Sequence, residues 1–198
     1  MRLKQNFIIV FALFSTFSTG VVNAQNIDLD ILKGINPRNP NSQYMIQTSA
    51  SAYWLPAAAC VGTFVYGIAG KDYNRKVKGY ELIISIGSAI AVAESLKPIV
   101  NRTRPAYAYP NEIFANSASH GSSFPSGHAT LAFSTAATLA LEYKKWYIVL
   151  PVYLWAGSVG YSRLYLGKHY PSDVLAGAAI GIGGAYLSHW LSKKLFKI

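Results

Sequence analysis

Five apolar stretches separated by short polar segments occupy most of the chain after residue 50. Each stretch is long enough for a helix. The two prolines inside them, Pro56 and Pro151, lie near a start, where a helix tolerates proline. We therefore predict an all-α fold. The predicted helices cover Ala52–Gly70, Gly79–Leu96, His128–Leu141, Trp146–Tyr161 and Val174–Leu191.

The lengths of these stretches do not decide between membrane helices and buried soluble helices. A helix needs about 20 apolar residues to cross the hydrocarbon layer of a bilayer, and the stretches are near or below that length. The small residues along Ala176–Gly184 suit close helix packing in lipid, but a soluble core accommodates them equally well. The distribution of charge supplies a separate criterion.

Charge is segregated if all five predicted helices cross a membrane. Three basic clusters then fall on one side, which the positive-inside rule assigns to the cytoplasm. The other side receives the loops Lys97–Gly127 and Arg163–Ser172, which hold most of the remaining polar groups. We therefore predict a membrane helical bundle of about five transmembrane helices. The clusters are Lys71/Arg75/Lys76/Lys78, Lys144/Lys145 and Lys193/Lys194/Lys197.

The N-terminus has the pattern of a secretory signal peptide. Arg2 and Lys4 precede the apolar stretch Phe7–Phe14, and Val22-Asn23-Ala24 resembles a small-residue cleavage site. We predict a signal peptide over residues 1–24. An uncleaved first membrane helix is the alternative, and both imply export.

The segment that follows is polar and rich in turn residues. Two prolines in Asn36–Asn41 interrupt any helix there, so residues 25–50 are predicted to form an exposed, extracytoplasmic lead-in segment. Residues 51–198 then form one helical domain.

Composition excludes several classes of protein. The chain has 198 residues, of which 52% are hydrophobic and 13% charged. Its net charge of +10 does not predict nucleic-acid binding, because the 18 basic residues form short clusters rather than a stripe. The single cysteine, Cys60, excludes an internal disulfide framework and a cysteine metal site.

Three short segments carry the residues suited to chemistry, and each lies at the boundary between a loop and a predicted helix. Together they resemble the signature of the type 2 phosphatidic acid phosphatase superfamily, which also includes bacterial acid phosphatases and vanadium haloperoxidases. All positions of that signature are matched in order. The segments are Lys97 with Arg104-Pro105, Pro125-Ser126-Gly127-His128, and Ser162-Arg163 with His169 and Asp173.

The third segment predicts a nucleophile with its orienting group. His169 and Asp173 are four residues apart, so a helical turn brings the carboxylate to the imidazole. Asp173 would then fix the ring tautomer and stabilise the positive ring that develops when the other nitrogen attacks phosphorus. The resemblance implies that His169 is the nucleophile and His128 the acid, and that the remaining signature residues bind phosphate.

The second segment predicts an anion site at the start of a helix. Unpaired backbone amides and the positive end of the helix dipole bind anions there, and Gly127 lets a phosphate approach the backbone. Ser126 and Gly127 add donors, and His128 is predicted to be the general acid and base. Lys97, Arg104 and Arg163 complete the predicted phosphate site by stabilising charge on the transferring group.

Each residue also has a structural interpretation. Lys97, Arg104 or Arg163 taken alone could anchor a helix end at the headgroup level, and a lone histidine is most often a packing residue. The joint spacing favours catalysis. His120 and His189 are predicted to be structural, with His120 also near enough in the chain to touch substrate, and Arg102 and Lys168 are predicted to be solvated surface charges. Glu94 lies one turn from Lys97.

The leading hypothesis is a hydrolase that removes phosphate from a lipid phosphate or diphosphate through a phosphohistidine, in a bacterial inner membrane with its site facing the periplasm. By resemblance, undecaprenyl diphosphate, lipid A phosphate, phosphatidylglycerol phosphate and phosphatidate are candidate substrates. No metal and no cofactor are implied, because the predicted outer side lacks paired carboxylates. The alternatives are a soluble periplasmic acid phosphatase with the same site, and a catalytically silent membrane protein that binds lipid headgroups. Oligomeric state is not predicted.

Overall fold

Every regular element in the described part of the chain is a helix, as predicted. The computed structural model describes residues 27–70 and 73–196, so the predicted signal peptide over residues 1–24 lies outside the described residues. Helix α1 is described from residue 27 to residue 35. The others are α2 (Gln43–Ala69), α3 (Tyr73–Val100), α4 (Pro105–Ala108), α5 (Gly127–Tyr143), α6 (Trp146–Tyr165) and α7 (Pro171–Phe196).

Helix α5 is the centre of the bundle and contacts α2, α3, α6 and α7. Its buried side chains are small, which lets the neighbouring helices approach closely. Because α5 begins at Gly127 and the neighbouring helices alternate in direction, the start of α5 lies beside the ends of α3 and α6. The buried residues are Ala129, Thr130, Ala132, Ser134, Thr135, Ala136, Ala137 and Thr138.

Two glycines bring α7 into direct backbone contact with α5. A Cβ atom on Gly177 would lie 2.5 Å from the carbonyl oxygen of Ser126, and one on Gly181 would lie 2.5 Å from that of Thr130. Real Cβ atoms do not approach so closely, so only glycine permits this packing. The small residues of the last apolar stretch therefore pack helices together, as predicted.

A buried hydroxyl ladder joins α3 to α5. Ser85 Oγ lies 2.8 Å from Ser134 Oγ, and Thr138 Oγ1 donates to Ser85 Oγ at 2.8 Å. All three side chains are buried. Buried hydroxyl groups have no access to water and must find hydrogen-bond partners in the protein. The ladder supplies these partners, so it joins the two helices by specific contacts as well as by packing.

The outer faces of the bundle are apolar, as membrane helices require. Val61, Ile83, Leu154 and Leu175 are each at least half exposed, on four different helices. Among the residues that the structure describes, three segments are long and apolar enough to cross a membrane, namely Gln43–Ala69, Val77–Ala108 and Pro171–Leu195.

The five long helices match the five predicted ones, but α5 and α6 are not among the three segments that qualify by length and composition. Helix α5 has 17 residues and is therefore about 25 Å long, shorter than the hydrocarbon layer. None of its residues is exposed, because it packs against four neighbouring helices.

The lead-in segment is helical and partly packed against the bundle, beyond what its sequence indicated. Residues 27–35 are helical, and α2 begins at Gln43 rather than at Ala52. Leu29 and Leu32 of α1 pack into an apolar cluster with Ile113, Leu164 and Tyr170. The prolines do interrupt the helices, since residues 36–42 between α1 and α2 are not helical.

The two ends of the bundle differ in chemistry. One end, called here the basic end, holds the side chains of Lys78, Lys144, Lys145, Lys193 and Lys194, which lie where the chain leaves or enters the long helices. Glu81 there lies 2.6 Å from His189, and Glu142 lies 3.2 Å from Lys78. The other end, called the site end, holds the loops that carry the predicted functional residues.

Candidate active site

A cavity of about 360 Å³ opens at the site end of the bundle. Both predicted catalytic histidines and all three predicted cations line it, so the side chains predicted to act on one phosphate do share one space. Ser126 and Asp173 are buried behind its wall. The lining residues are Tyr53, Ile90, Glu94, Lys97, Arg104, Ser119, His120, Gly127, His128, Leu131, Arg163 and His169.

His128 lies in the first turn of α5. Ser126 is the N-cap, and its hydroxyl accepts a hydrogen bond from the backbone N–H of Ala129. A Cβ atom on Gly127 would lie 3.9 Å from Glu94 Oε1 and 4.0 Å from Lys97 Nζ, so the backbone at this position faces that ion pair. The ring of His128 packs edge-on against that of Tyr53, with centroids 4.7 Å apart. The helix start thus places an imidazole and free backbone amides beside the cavity.

His169 is held by a backbone carbonyl. Its Nδ1 lies 2.7 Å from the carbonyl oxygen of Ser123. A carbonyl only accepts hydrogen bonds, so Nδ1 carries the proton and donates it. Nε2 is therefore unprotonated in the neutral ring, and it lies 3.5 Å from a guanidinium nitrogen of Arg104. This tautomer leaves Nε2 available as a nucleophile.

Asp173 lies beside the imidazole of His169 but makes no hydrogen bond with it. Its Oδ2 lies 3.6 Å from His169 Nδ1, beyond hydrogen-bond range, and instead accepts from the backbone N–H of Tyr170 at 2.9 Å. Its Oδ1 accepts from Arg102 at 2.8 Å. The group that accepts the ring's hydrogen bond, and so fixes the tautomer, is the Ser123 carbonyl rather than the carboxylate of Asp173. Asp173 remains close enough to stabilise a positive charge on the ring.

The three cations approach the cavity from three elements. Arg163 is 7% exposed, donates to Ser49 Oγ, and has a buried Nε without a hydrogen-bond partner among the described residues. Arg104 is held by the backbone carbonyls of Gly121 at 3.2 Å and Lys168 at 3.1 Å. A buried guanidinium with an unsatisfied donor suits an anionic ligand, since an anion would satisfy it.

Lys97 pairs with Glu94 at 2.6 Å across one helical turn. Glu94 supplies the one carboxylate among the residues that line the cavity. Lys97, Arg104 and Arg163 contribute three positive charges against this one carboxylate, so the cavity as a whole is positive. This excess suits a doubly charged phosphate group.

Burial and charge keep His169 neutral. Burial lowers the pKa of His169 to about 4, and the charges of Arg163 and Arg104 act in the same direction, while Asp173 opposes them. Burial likewise lowers the pKa of the Lys168 amine to about 8, and the same two arginines add to that effect. At neutral pH the His169 ring is therefore uncharged, as a nucleophile must be.

Two residues predicted to be solvated surface charges are neither solvated nor peripheral. Lys168 is 4% exposed and donates to Ser117. Arg102 is enclosed by carboxylates, and its guanidinium carbon lies 3.8 Å from the centroid of the Tyr170 ring. No local pattern separates these two bases from surface bases, because their partners come from distant parts of the chain.

The remaining histidines are at opposite ends of the bundle. His189 pairs with Glu81 at the basic end, so its predicted structural role agrees with its position. His120 lines the cavity, which favours the alternative that it touches substrate. Tyr53 and Ser49 of α2 were not predicted at all, since α2 contains no motif and reaches the cavity only through packing.

Comparison with known proteins identifies the family. A family profile described as the PAP2 superfamily matches residues 78–197. The lipid A 4'-phosphatase of Bacteroides thetaiotaomicron is 32% identical over 77% of this chain and 70% of its own length. The undecaprenyl-diphosphatase of Sulfolobus acidocaldarius is 29% identical over 91% of this chain and 87% of its own length.

A solved structure has the same fold. The transmembrane PAP2 type phosphatidylglycerolphosphate phosphatase of Bacillus subtilis superposes with a TM-score of 0.69 at 21% identity, over 87% of this chain and 88% of its own. Its membrane-spanning architecture agrees with the exposed apolar faces found here. With the profile spanning more than half of the sequence and all signature residues in place, this chain belongs to the PAP2 superfamily, in its membrane lipid phosphatase branch.

Proposed function

We propose that this protein hydrolyses a lipid phosphate or diphosphate through a phosphohistidine on His169, in a bacterial inner membrane with its site facing the periplasm. One observation carries the proposal. The imidazoles of His128 and His169 and the cations Lys97, Arg104 and Arg163 line the same cavity of about 360 Å³. Residues 25–50 and 51–198 then form one exported unit after a signal peptide over residues 1–24.

In the first step, the lone pair on Nε2 of His169 attacks phosphorus. The bond from phosphorus to the bridging oxygen of the ester or anhydride breaks, and protonated His128 gives that oxygen its proton, so that the alcohol or the lipid monophosphate leaves. The ring of His169 becomes positive because Nδ1 keeps its proton toward Ser123. Asp173, 3.6 Å from Nδ1, stabilises this charge.

In the second step, His128 takes a proton from water, and the water oxygen attacks phosphorus. The phosphorus–nitrogen bond breaks, His169 returns to the neutral form, and inorganic phosphate leaves. His128 ends with the proton that it gave up in the first step. Both histidines are thus regenerated, and the balance needs only water.

The cations act on the transferring phosphoryl group in both steps. Arg163 offers its unpartnered Nε, and Arg104 is held in place by two carbonyls. Charge on the equatorial oxygens is stabilised most where the donors are fixed beforehand and water is excluded. Ser126 contributes indirectly, since its buried hydroxyl caps α5 rather than lining the cavity.

A lipid is the proposed substrate because the cavity combines a charged end with apolar walls next to the lipid-facing helices. Ile90 and Leu131 lie in its lining beside the exposed Tyr53. The names of the relatives, a lipid A 4'-phosphatase and an undecaprenyl-diphosphatase, support a lipid carrier with a phosphate or diphosphate headgroup.

The experiment is phosphate release by detergent-purified protein from a panel of phosphatidate, phosphatidylglycerol phosphate, undecaprenyl diphosphate and lipid A. We expect turnover of at least one lipid. His169→Ala should abolish it and should abolish acid-labile labelling from a radioactive phosphate donor. Label that persists on His169→Ala would refute the assigned nucleophile.

The matched control is His189→Gln, which alters a histidine at the opposite end of the bundle. Its activity should stay near that of the wild type. Wild-type protein that binds these lipids and releases no phosphate from any of them would favour the silent headgroup-binding alternative instead.

Orientation is tested by thiol labelling in intact cells. In a Cys60→Ala background, a cysteine at Asn111 of the loop at the site end should react with a membrane-impermeant reagent, and a cysteine at Lys145 of the basic end should not. The reverse pattern contradicts a periplasmic site. N-terminal sequencing of the purified protein should begin at Gln25 if the signal peptide is removed.

A further inference from the structure

Arg102 contacts both groups that lie beside the His169 ring, namely the carboxylate of Asp173 and the loop residue Ser123. Its side chain donates to Asp173 Oδ1 at 2.8 Å, and its backbone carbonyl accepts from the N–H of Ser123 at 2.8 Å. Ser123 in turn offers its own carbonyl to His169. One residue therefore ties together the carboxylate that stabilises the ring and the carbonyl that fixes its tautomer.

Arg102 is itself held by a residue of α1. Its second guanidinium nitrogen donates to Asp28 Oδ2 at 2.9 Å, and Asp28 Oδ1 accepts from the backbone N–H of Ser172 at 2.9 Å. Asp28 also accepts from the hydroxyl of Ser172. Ser172 directly precedes Asp173, so Asp28 accepts two hydrogen bonds from the first turn of α7.

The surroundings make this arrangement rigid and poorly hydrated. Asp28 is 7% exposed, and the guanidinium of Arg102 stacks on the ring of Tyr170 at 3.8 Å. A planar guanidinium with partners on both sides has one permitted orientation. Solvated surface pairs do not have this property, which distinguishes Arg102 from an anchor at the membrane surface.

We propose that Arg102 and Asp28 are positioning residues for His169, so that helix α1 is part of the catalytic unit and not a lead-in to it. Neither residue touches the cavity that holds both histidines. They act through Asp173 and Ser123, whose placement they determine. The inference rests on the proposed phosphohistidine chemistry of that site.

The test compares two aspartates of the same helix. Asp28 is buried against Arg102, whereas Asp30 is exposed and two residues away. Phosphate release from dioctanoyl phosphatidate and from farnesyl diphosphate is measured for Asp28→Asn and Asp30→Asn in detergent. We expect Asp28→Asn to lower kcat about tenfold, as loss of a supporting contact typically does, with KM within about twofold. Asp30→Asn should match the wild type.

The pH profile separates positioning from simple stabilisation. The charged or titratable groups around His169 are Asp173, Arg104, Arg163, Lys168 and His128. Arg102→Met leaves Asp173 without its counter-charge and should move the acid limb of kcat/KM to higher pH. Asp28→Asn leaves Arg102 less neutralised and should move that limb to lower pH. Arg102→Lys, which keeps the charge, should restore the position of the limb.

The outcomes are distinguishable. Wild-type protein that hydrolyses neither probe contradicts the proposed function. Active wild type with Asp28→Asn equal to Asp30→Asn overturns the positioning role alone. A lower melting temperature in Asp28→Asn with unchanged kcat and unchanged pH profile also overturns it, because such a result describes a purely structural pair. If Arg102→Met does not fold, the kcat and pH profiles of Asp28→Asn and Arg102→Lys still test the positioning role.

Discussion

The carboxylate of Asp173 and the imidazole of His169 approach each other to 3.6 Å without a hydrogen bond between them. Each has a different partner. The ring donates to Ser123, and the carboxylate accepts from Arg102 and from the backbone of Tyr170. Orientation and charge stabilisation are thus divided between two groups, and this division determines how each should respond to substitution.

Asp173→Asn should therefore slow the enzyme without inactivating it. The carbonyl of Ser123 still fixes the tautomer of His169, and only the negative charge beside the ring is lost. We expect kcat to fall on the order of 10²-fold, the loss typical of one electrostatic contact in an active site. The measurement is steady-state phosphate release. A loss as complete as that of His169→Ala would show that Asp173 orients the ring after all.

Acid should destabilise the protein through His169. Its folded pKa of about 4 lies below the unfolded value of 6.5, so the unfolded state binds more protons between these values. The contribution of the neutral His169 ring to the free energy of unfolding is complete above pH 6.5. It falls as the pH is lowered and is lost near pH 4. A shift of this size corresponds to roughly 3 kcal/mol.

The check is the melting temperature as a function of pH for the wild type and for His169→Gln. The wild type should lose more stability than the variant between pH 6.5 and pH 4. Parallel curves would show that the ring is not held neutral by the fold.

Gly181→Ala should destabilise the bundle, whereas Gly183→Ala should not. A methyl group at Gly181 meets the Thr130 carbonyl oxygen at 2.5 Å and the Ser134 nitrogen at 2.7 Å, but one at Gly183 meets nothing within 4 Å. Overpacking costs about 1–3 kcal/mol, while alanine in place of an unconstrained helical glycine gains up to about 1 kcal/mol. Melting temperatures in detergent compare the two, and equal values would contradict the close contact of α5 and α7.

Chelation should leave hydrolysis unchanged. Glu94, the carboxylate in the cavity lining, is engaged by Lys97 at 2.6 Å. Within residues 27–70 and 73–196, the group with metal-ligand spacing is Glu81, Glu142 and His189, far from the cavity at the basic end. Phosphate release is measured before and after dialysis against EDTA. Complete loss, restored by a divalent cation, would contradict direct histidine chemistry.

The helices and the residues that line the cavity could be predicted from the sequence, because both depend on local patterns of residues. Apolar runs predicted five long helices, and the motif residues lie at helix boundaries that meet at one end of the bundle. His128 and His169 therefore converge as expected. The clustering of basic residues at one end was predictable for the same reason, since lysines such as Lys145 and Lys194 lie at helix ends whatever the packing.

The contacts that position His169 could not be predicted from the sequence, because they join residues that are far apart in the chain. Ser123 acts through a backbone carbonyl, which no residue type reveals. Asp28 lies 74 residues from Arg102 in the chain, in a segment predicted to be exposed. Helix α1 is short, and its two buried leucines give too weak a periodicity to distinguish it from a loop.

The hydroxyl ladder of Ser85, Ser134 and Thr138 determines how far α3 can slide along α5. A shift by one helical turn would break the contacts between the two helices and leave the buried hydroxyls of Ser85 and Ser134 without them, whereas Thr138 would keep its bond to the Ser134 carbonyl. Lys97, near the end of α3, and His128, at the start of α5, are consequently held at the same cavity. The axial register of the bundle thus sets the spacing between Lys97, which is proposed to bind the phosphate, and His128, which is proposed to protonate the leaving oxygen.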